Sequence, residues 1–433
     1  MKKEQENKQC VIEGVEEPIF SAAENEEKVE TPVYETETGV QLEFDTSVDI
    51  GLSEEHVQEK LKEALDSQSP KKRKKNTIVS LCLLALNIVF MVFIIRSLIA
   101  NVGDISITAM IESQGKKLWW IAGGVMIYLV YMLAQTLMYL VLIKDLTGKR
   151  KIKLAYDVAV VGKYYDNITP FAVGGQPMQI VRLATNGISA GVSTSIPIIK
   201  LMINSAVNMV VALLFFIFGL PRIPLTSPFN DLLLIILEIL GVIGLIITVF
   251  VVFFMFLIST GNFVTRTLVS GFVRIGYKLR IVKNYRQTVK KVMGQVAEYK
   301  TSMHYLRKRK LVLLKMILLS LMECLSYAIM PYFVVMAFAG PIDMSPLLFI
   351  VICITKYYIC SMASSFIPLP GGTGLMEISF IFLFGIVVNE NIVWALLIWR
   401  FISYYLIIIH GFGHELIKIG KNIYKNRQKK ETA

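Results

Sequence analysis

The chain has 433 residues, of which 54% are hydrophobic, and its mean hydropathy is +0.57. Both values exceed those of soluble globular domains, and the apolar residues come in runs long enough to cross a membrane, which predicts an all-α polytopic membrane protein. The formal net charge of +12 is uneven, since residues 1–70 contain 19 acidic and 6 basic side chains and carry −13, while the remainder carries +25. The five cysteines lack metal-ligand spacing, which argues against a disulfide framework.

The N-terminal 70 residues are rich in Glu, Ser and Thr and show no sustained periodicity. This composition predicts a mostly disordered acidic tail in the cytoplasm, with a short helix at 53–65 as one local exception. A regulatory or partner-binding arm is the alternative interpretation. We expect no signal peptide, because the first hydrophobic run begins after residue 76 and has no small-residue cleavage site.

The basic cluster KKRKK at 71–75 directly precedes a predicted span at 77–100 and places that end of the span in the cytoplasm. Further full spans are predicted at 118–143, 194–220, 231–259, 311–338 and 392–417. The same rule places three more basic regions and both termini in the cytoplasm; the regions are 144–153, 262–310 with thirteen Lys or Arg against one acid, and the tail 421–433.

Each full span moves the chain to the other side of the membrane. The parity of the spans between cytoplasmic basic regions therefore predicts two segments that enter and leave the membrane on the same side. The stretch between residues 153 and 194 starts and ends in the cytoplasm, and residues 346–388 start and end outside. The arm at 376–388 would form roughly 20 Å of helix, which is shorter than the roughly 30 Å hydrocarbon core. We therefore predict about six full transmembrane helices and two oppositely directed re-entrant hairpins, eight hydrophobic units in all, arranged as a pseudo-inverted repeat of 71–261 and 311–420.

The connecting segment 262–310 has its own heptad pattern, with Val282, Val289, Val296 and Met303 spaced seven residues apart among Lys and Arg. This pattern predicts an amphipathic cytoplasmic helix. Such a helix can lie on anionic lipid, pack against another helix, or dock on its own protein.

Two stretches combine prolines with a Gly-Gly pair, KYYDNITPFAVGGQPMQIVR at 163–182 and FIPLPGGTGLME at 366–377. Neither can form a continuous helix. In hydrocarbon each unpaired backbone group is costly, so broken backbone survives only where protein or a water-filled cavity satisfies it. Paired broken helices in two halves of a chain indicate a transport site.

Each broken stretch is followed by a predicted half-helix. Pro177 suits a helix start and Asn186-Gly187 a helix stop, so Gln176 and the preceding glycines would lie at a half-helix N-terminus. Free N–H groups there suit an anionic group such as a lipid phosphate.

In the second stretch, Pro368 and Pro370 stiffen the approach, and the following glycines allow a head group or another backbone to come close. Glu377 falls in the first turn of the next half-helix. The alternative is that the glycines of both stretches serve tight helix packing.

Ionisable residues within apolar segments are functional candidates, because placing a charged side chain inside a membrane costs free energy. They are Lys315, Glu323, Lys356 and Arg400, with Asp166 and Glu377 at the broken stretches. Lys356 and Arg400 would neutralise a passing phosphate, and Glu377 or Glu323 would pair with them when the site is empty. Static ion pairs are the alternative. Lys200 and Lys315 are expected to snorkel to the cytoplasmic surface.

No metal site, cofactor or catalytic residue is predicted. His410 and His414 lie four apart beside Glu415, but no third distant ligand is apparent. Neither a P-loop, a G-x-S-x-G elbow nor a Rossmann fingerprint is present, and direct nucleic-acid binding is not expected. Asp157 and Asp166 are the only indications of an enzymatic site on the cytoplasmic side.

The segments NITPFAVGGQPMQIVRLATNGIS and PLPGGTGLMEISF resemble the signature regions of a flippase-like integral membrane family that includes the transmembrane part of lysylphosphatidylglycerol synthase. This resemblance implies a cell-membrane lipid translocase that moves an anionic or aminoacylated phospholipid, such as lysylphosphatidylglycerol, between leaflets. In that family a separate soluble domain transfers lysine from lysyl-tRNA. The sequence extends only about fifteen residues past the last predicted span, so we expect no such domain here. The alternative is a phosphatidylglycerol lysyltransferase, or part of such a system, contributing to resistance to cationic antimicrobial peptides. A homo-oligomer and a separate synthase partner remain open.

The candidate lipid-binding residues come from the two broken stretches and the intramembrane charges. They are Asn167, Thr169, Gly174, Gly175, Gln176, Gln179, Arg182, Lys356, Gly371, Gly372, Thr373, Glu377 and Arg400. We expect the two Gly-Gly turns to enter from opposite faces and to approach within about 15 Å, half the bilayer core. Gln176, Gln179, Arg182, Glu377, Lys356 and Arg400 would then surround one polar cavity that opens sideways to lipid.

Overall fold

The computed structural model describes residues 119–223, 231–260, 308–367 and 369–431, together with 33–35, 41–43 and the isolated positions 96, 117, 270, 271, 273, 274, 288, 289, 293, 304 and 305. The predicted span at 77–100 and almost all of the heptad segment lie outside the described residues. Those two predictions, and the predicted disorder of the acidic tail, stay predictions. Within that tail, strands β1 (Val33–Glu35) and β2 (Gln41–Glu43) pair antiparallel.

The first half of the membrane region contains five helices. They are α1 (Trp119–Thr147), α2 (Ile152–Ile168), α3 (Gly175–Ala184), α4 (Ala190–Gly219) and α5 (Asp231–Thr260). A single 3₁₀ turn, Pro170–Ala172, separates α2 from α3, and another, Leu220–Arg222, ends α4. We call α2, the Pro170–Ala172 turn and α3 the first hairpin.

The second half of the membrane region has more helix interruptions. Its helices are α6 (Lys310–Ala328), α7 (Met330–Phe338), α8 (Pro346–Ser364), α9 (Leu375–Val388), α10 (Ile392–Arg400) and α11 (Leu406–Glu431). The Pro370–Gly372 turn separates α8 from α9, the Asn389–Asn391 turn separates α9 from α10, and a π-helical turn, Phe401–Tyr405, joins α10 to α11. We call α8, the Pro370–Gly372 turn and α9 the second hairpin.

Six helical units in the described residues are long and apolar enough to cross a membrane, so the chain is an all-α multi-pass membrane protein. They are Trp119–Thr147, Gly191–Arg222, Asp231–Phe253, Lys310–Phe338, Pro346–Ser364 and Pro370–Lys418. Four correspond to predicted full spans, and a fifth predicted span lies within the last unit. Pro346–Ser364, predicted as one arm of a hairpin, is by its length and composition a candidate span in its own right.

Two helix interruptions were not predicted from the sequence. The predicted span at 311–338 is divided at Ile329, because Pro331 has no N–H to continue the α-helical ladder. The predicted span at 392–417 contains the π-turn Phe401–Tyr405, and such turns inside long helices are frequent at functional sites.

The buried apolar residues form two main cores that are stacked along the bundle. The larger core joins the first part of α1 to α7, α8, α9 and α10, and the smaller core joins the last part of α1 to α2, α3, α4 and α6. Helix α1 contributes Met132 to the larger core and Met138 to the smaller one. The short stretch of α1 between these two methionines can therefore place polar residues between the cores.

Candidate functional site

A group of polar side chains lies between the two cores, and we call it the central polar cluster. It consists of Gln135 from α1, Lys163 and Asp166 from α2, Lys200 and Asn204 from α4, and Glu323 from α6. Gln135 lies between Met132 and Met138, which belong to different cores. The cluster therefore occupies the level of the bundle where apolar packing is interrupted.

Glu323 is the centre of this cluster. Its side chain is 4% exposed, and its Oε1 accepts hydrogen bonds from the Gln135 amide and, at 3.3 Å, from Asn204 Nδ2. Its Oε2 lies 3.5 Å from Lys200 Nζ, and Oε1 lies 3.9 Å from Lys163 Nζ. A buried carboxylate is tolerated when it is paired in this way, so the cluster balances its charge internally.

The expectation that Lys200 snorkels to the surface is wrong. Its side chain is only 8% exposed, because α4 packs against α6 and directs the ammonium group to Glu323. Lys315, on the surface of α6, is exposed. Of the two carboxylates expected to pair with Lys356 or Arg400, Glu323 instead lies beside two lysines of the first half.

The two hairpin turns meet, as the parity of the basic loops predicted. Cα atoms of Pro170–Ala172 and Pro370–Gly372 lie within 8 Å of each other, well inside the expected 15 Å. Between them, the Tyr404 hydroxyl at the π-turn donates to the Asn167 carbonyl at 2.9 Å.

Helices α10 and α11 contact both hairpins. Arg400 in α10 contacts the tip of the second hairpin through the Gly371 carbonyl at 3.1 Å. Lys418, eighteen residues further along the chain in α11, contacts Asp157 near the start of the first hairpin at 2.5 Å. The tip of the second hairpin and the start of the first hairpin thus lie at different levels along α10 and α11.

Each half-helix N-terminus is occupied by a carboxylate of the chain itself. Asp166 Oδ1 accepts the Gly175 N–H at 3.0 Å, and Glu377 Oε2 accepts the Gly374 N–H at 2.6 Å. The Gly174 N–H is also bound, to Thr169 Oγ1 at 2.9 Å. The expectation of free N–H groups at these glycines is therefore wrong: the positive helix ends are neutralised by internal capping.

Glu377 and Arg400 form the predicted ion pair. Arg400 Nε donates to Glu377 Oε1 at 2.6 Å, and the side chains are 3% and 0% exposed. Arg400 also donates to the Gly371 carbonyl, so one guanidinium joins the tip of the second hairpin to the first turn of α9.

The other predicted cavity residues lie elsewhere, so the expectation of one shared cavity is wrong for them. Lys356 donates to the Leu383 carbonyl at 2.5 Å and lies over Phe384. Arg182 binds Glu415 and lies 3.8 Å from Asp157, because seven residues of α3 carry it about 10 Å from the hairpin tip. Gln179 fills the space that Gly162 leaves, where a Cβ would lie 1.7 Å from its Nε2.

The remaining predicted polar residues contact nearby backbone. Asn167 Nδ2 donates to the Lys163 carbonyl at 2.7 Å, Thr169 Oγ1 to the Tyr165 carbonyl at 2.7 Å, and Thr373 Oγ1 to the Pro370 carbonyl at 2.8 Å. These bonds stabilise the two turns. Gln176 is half-buried at the start of α3.

The two histidines bind side chains. Tyr128 and Tyr156 contact the two ring nitrogens of His410, and His414 Nε2 lies 2.9 Å from Asp157 Oδ1. In the part of the chain that the structure describes, no group of His, Cys, Asp and Glu side chains could hold a metal ion.

Sequence reasoning missed four polar residues inside the bundle. Gln135, Lys163 and Asn204 lie in the central polar cluster, and Glu238 of α5 is 8% exposed with no hydrogen-bond partner for its Oε1. A polar residue inside an apolar helix was the available signal for each.

A protein-family match covers most of the membrane region. Neither the curated proteins nor the solved structures contain a match to this chain. One protein family, described as the lysylphosphatidylglycerol synthase TM region, matches residues 78–411, which include both hairpins and the central polar cluster. The chain therefore belongs to the lysylphosphatidylglycerol synthase TM region family.

Proposed function

We propose that this protein moves a phospholipid with an anionic or aminoacylated head group between membrane leaflets. The observation that carries the proposal is the tip-to-tip meeting of two broken helical hairpins beside buried charged groups. Broken helices that meet within a bundle are typical of transporter sites. In this proposal the hairpins are re-entrant and enter from opposite faces, and both termini lie in the cytoplasm.

The central polar cluster is suited to receive a head group. Lys163 and Lys200 both lie within 4 Å of Glu323, and Asp166 on the same helix as Lys163 is the second carboxylate of the cluster. A lipid phosphate would compete with the carboxylate for the two lysines, since phosphate forms strong charge-assisted hydrogen bonds with cationic side chains. The lysines would therefore be neutralised in both states.

Only the head group needs to enter the protein. Each buried CH₂ contributes roughly 0.8 kcal/mol, so taking two sixteen-carbon tails through water would cost on the order of 25 kcal/mol. A path that opens sideways to lipid avoids this cost, because the tails stay in hydrocarbon while the head group crosses.

Reconstitution in liposomes tests the proposal. Fluorescent phosphatidylglycerol, lysylphosphatidylglycerol and phosphatidylethanolamine are followed by chemical quenching of the outer leaflet. We expect faster exchange with protein than without it, and a several-fold loss in Lys200→Met. Lys315→Met, an exposed lysine on α6, is the matched control and should retain the wild-type rate. Equal rates for all lipids with and without protein would sink the proposal.

The transferase alternative has less support from the geometry. Asp157, one of its two candidate groups, already contacts His414 at 2.9 Å and Lys418 at 2.5 Å. Synthesis of lysylphosphatidylglycerol by the purified chain from charged lysyl-tRNA would favour that alternative.

A further inference from the structure

A row of polar side chains follows one face of α4. Lys200, Asn204 and Asn208 are spaced four residues apart, so they lie above one another on the helix surface. Lys200 and Asn204 belong to the central polar cluster, where they lie 3.5 Å and 3.3 Å from the Glu323 carboxylate. Asn208 lies one turn beyond the cluster, toward the end of α4 at Gly219. We call these three residues the α4 polar row.

The α4 polar row connects the two hairpins. At one end, Glu323, the partner of Lys200, lies 3.9 Å from Lys163 of the first hairpin. At the other end, the Tyr358 hydroxyl in α8 of the second hairpin donates to Asn208 Oδ1 at 3.1 Å. Polar side chains therefore follow one another from the central polar cluster to the second hairpin.

Asn208 lies deep in the membrane-spanning part of α4. It precedes the end of the helix at Gly219 by about 16 Å, which is about half of the roughly 30 Å hydrocarbon core. Ile203 belongs to the smaller core and Val211 to the larger core, so Asn208 lies where the two cores adjoin. An amide at this depth loses its water, and each N–H group without a partner there costs free energy.

The Asn208 amide keeps donors that no described residue uses. Its oxygen accepts from Tyr358, but in the part of the chain that the structure describes its nitrogen donates to no acceptor. The side chain is only half-buried, and Leu201, seven residues earlier on nearly the same face, is 44% exposed. Asn204 differs, since both ends of its amide are bonded to side chains of α6. A bond that only joins two helices explains the Asn208 oxygen but not its unused N–H groups.

We infer that the Asn208 amide is a second contact for the lipid head group on its way between the leaflets, and that it donates to the phosphodiester oxygens. This inference rests on the proposed function and deepens it, because it names a path from the lysines of the central polar cluster along α4 toward the second hairpin. A phosphodiester oxygen is an anionic acceptor, which the unused N–H groups match. The amide is neutral, so it holds the phosphate less strongly than Lys200 does, and the head group can leave it.

Lipid exchange in liposomes separates this contact from the helix-joining bond. Labelled phosphatidylglycerol is followed by chemical quenching of the outer leaflet. Asn208→Leu removes the amide at nearly the same size, and exchange should slow about tenfold, the effect of one lost hydrogen bond to a charged group. Tyr358→Phe breaks the same interhelical bond but leaves the N–H groups, so it should slow exchange far less. Thermal unfolding in detergent checks that both variants are folded, and Asn208→Ala serves if the leucine variant does not fold.

Binding can be measured without lipid movement. Dihexanoyl phosphatidylglycerol, a short-chain lipid, is added to the detergent-solubilised protein, and the thermal unfolding midpoint is recorded. The lipid should raise the midpoint of the wild type and raise that of Asn208→Leu less. Glycerol 3-phosphate carries a phosphate without acyl chains and should raise neither midpoint.

The inference fails if Tyr358→Phe slows exchange as much as Asn208→Leu, because the asparagine then only joins two helices. It also fails if Lys200→Met slows exchange while the Asn208 variants match the wild type, and the lipid function then stands without this contact. If the wild type moves no lipid but short-chain phosphatidylglycerol stabilises it more than Asn208→Leu, the contact stands and the translocation fails. An equal rise with glycerol 3-phosphate would assign the amide to free phosphate instead of lipid and overturn the inference.

Discussion

The two hairpins have the same plan but differ in how rigidly their tips are held. Both place a Gly-Gly pair at the turn and bind a half-helix N-terminus with their own carboxylate. In the second hairpin, Gly371 has φ +65° and lies against the Tyr404 ring, and Glu377 is bound by a single buried arginine. In the first hairpin, Phe171 and Ala172 have φ near +54° and are exposed.

This difference between the two tips indicates which of them is suited to move. A left-handed backbone costs non-glycine residues roughly 1–2 kcal/mol each, and exposed side chains make few contacts that offset this cost. Near the tip of the first hairpin, Lys163 lies 3.9 Å from Glu323, whereas Arg400 and Glu377 make close contact at 2.6 Å in the second hairpin. We infer that the second hairpin is the fixed element and the first hairpin the adaptable one.

The largest expected effect follows from breaking the Glu377–Arg400 pair. Glu377→Gln leaves the Arg400 charge buried without its partner, which is expected to reduce the free energy of unfolding by about 3–5 kcal/mol. Thermal unfolding in detergent measures the change. Glu390→Gln, at an exposed position in the Asn389–Asn391 turn, is the control and should leave the midpoint unchanged. An unchanged midpoint for Glu377→Gln would contradict a fixed second tip.

Gly371→Ala tests the same tip through its backbone. An added Cβ would lie 2.3 Å from Tyr404 Cε2 at a φ of +65°, so both strain and displacement of the ring are expected, about 2–4 kcal/mol together. Gly187→Ala has a φ of +74° with open space around the new atom and should cost only about 1 kcal/mol. Equal losses in the two variants, measured by thermal unfolding, would show that the contact with Tyr404 is unimportant.

A smaller loss of stability is expected from the central polar cluster, to which the first hairpin contributes Lys163 and Asp166. Glu323→Gln keeps the shape of the side chain but removes the charge that faces Lys200 and Lys163, and about 2 kcal/mol is expected for the weakened charged hydrogen bonds. Its effect on lipid exchange should exceed that of Glu377→Gln, measured at a temperature where both variants are folded. The opposite order would assign the moving part to the second hairpin.

The smallest effect is expected at the exposed first tip. Phe171→Asn places a residue that tolerates the left-handed region at φ +54°, so the free energy of unfolding should stay the same or rise by up to about 1 kcal/mol. Phe171→Val, a β-branched residue at the same position, is the matched comparison and should lower stability. A loss of stability in Phe171→Asn would mean that the Phe171 ring stabilises the tip despite its 64% exposure.

The sequence by itself determined the membrane class, most of the long helices and both broken stretches. Long apolar runs and proline-glycine breaks act locally, so 163–182 and 366–377 could be recognised without any tertiary contact. It also indicated the meeting of the two turns, through the parity of basic loops, and the pairing of Glu377 with Arg400, through the rarity of charges in apolar helices.

The tertiary structure alone decided which charges share a site. Lys200 and Glu323 are 123 positions apart, and only the packing of α4 against α6 brings them together. Arg182 and Lys356 lie outside the expected cavity. The rotation of a helix and the position of a residue along its axis decide where a long side chain ends, and neither follows from residue type. His410 acquired its two hydroxyl partners in the same way, from helices that lie more than 250 positions away in the sequence.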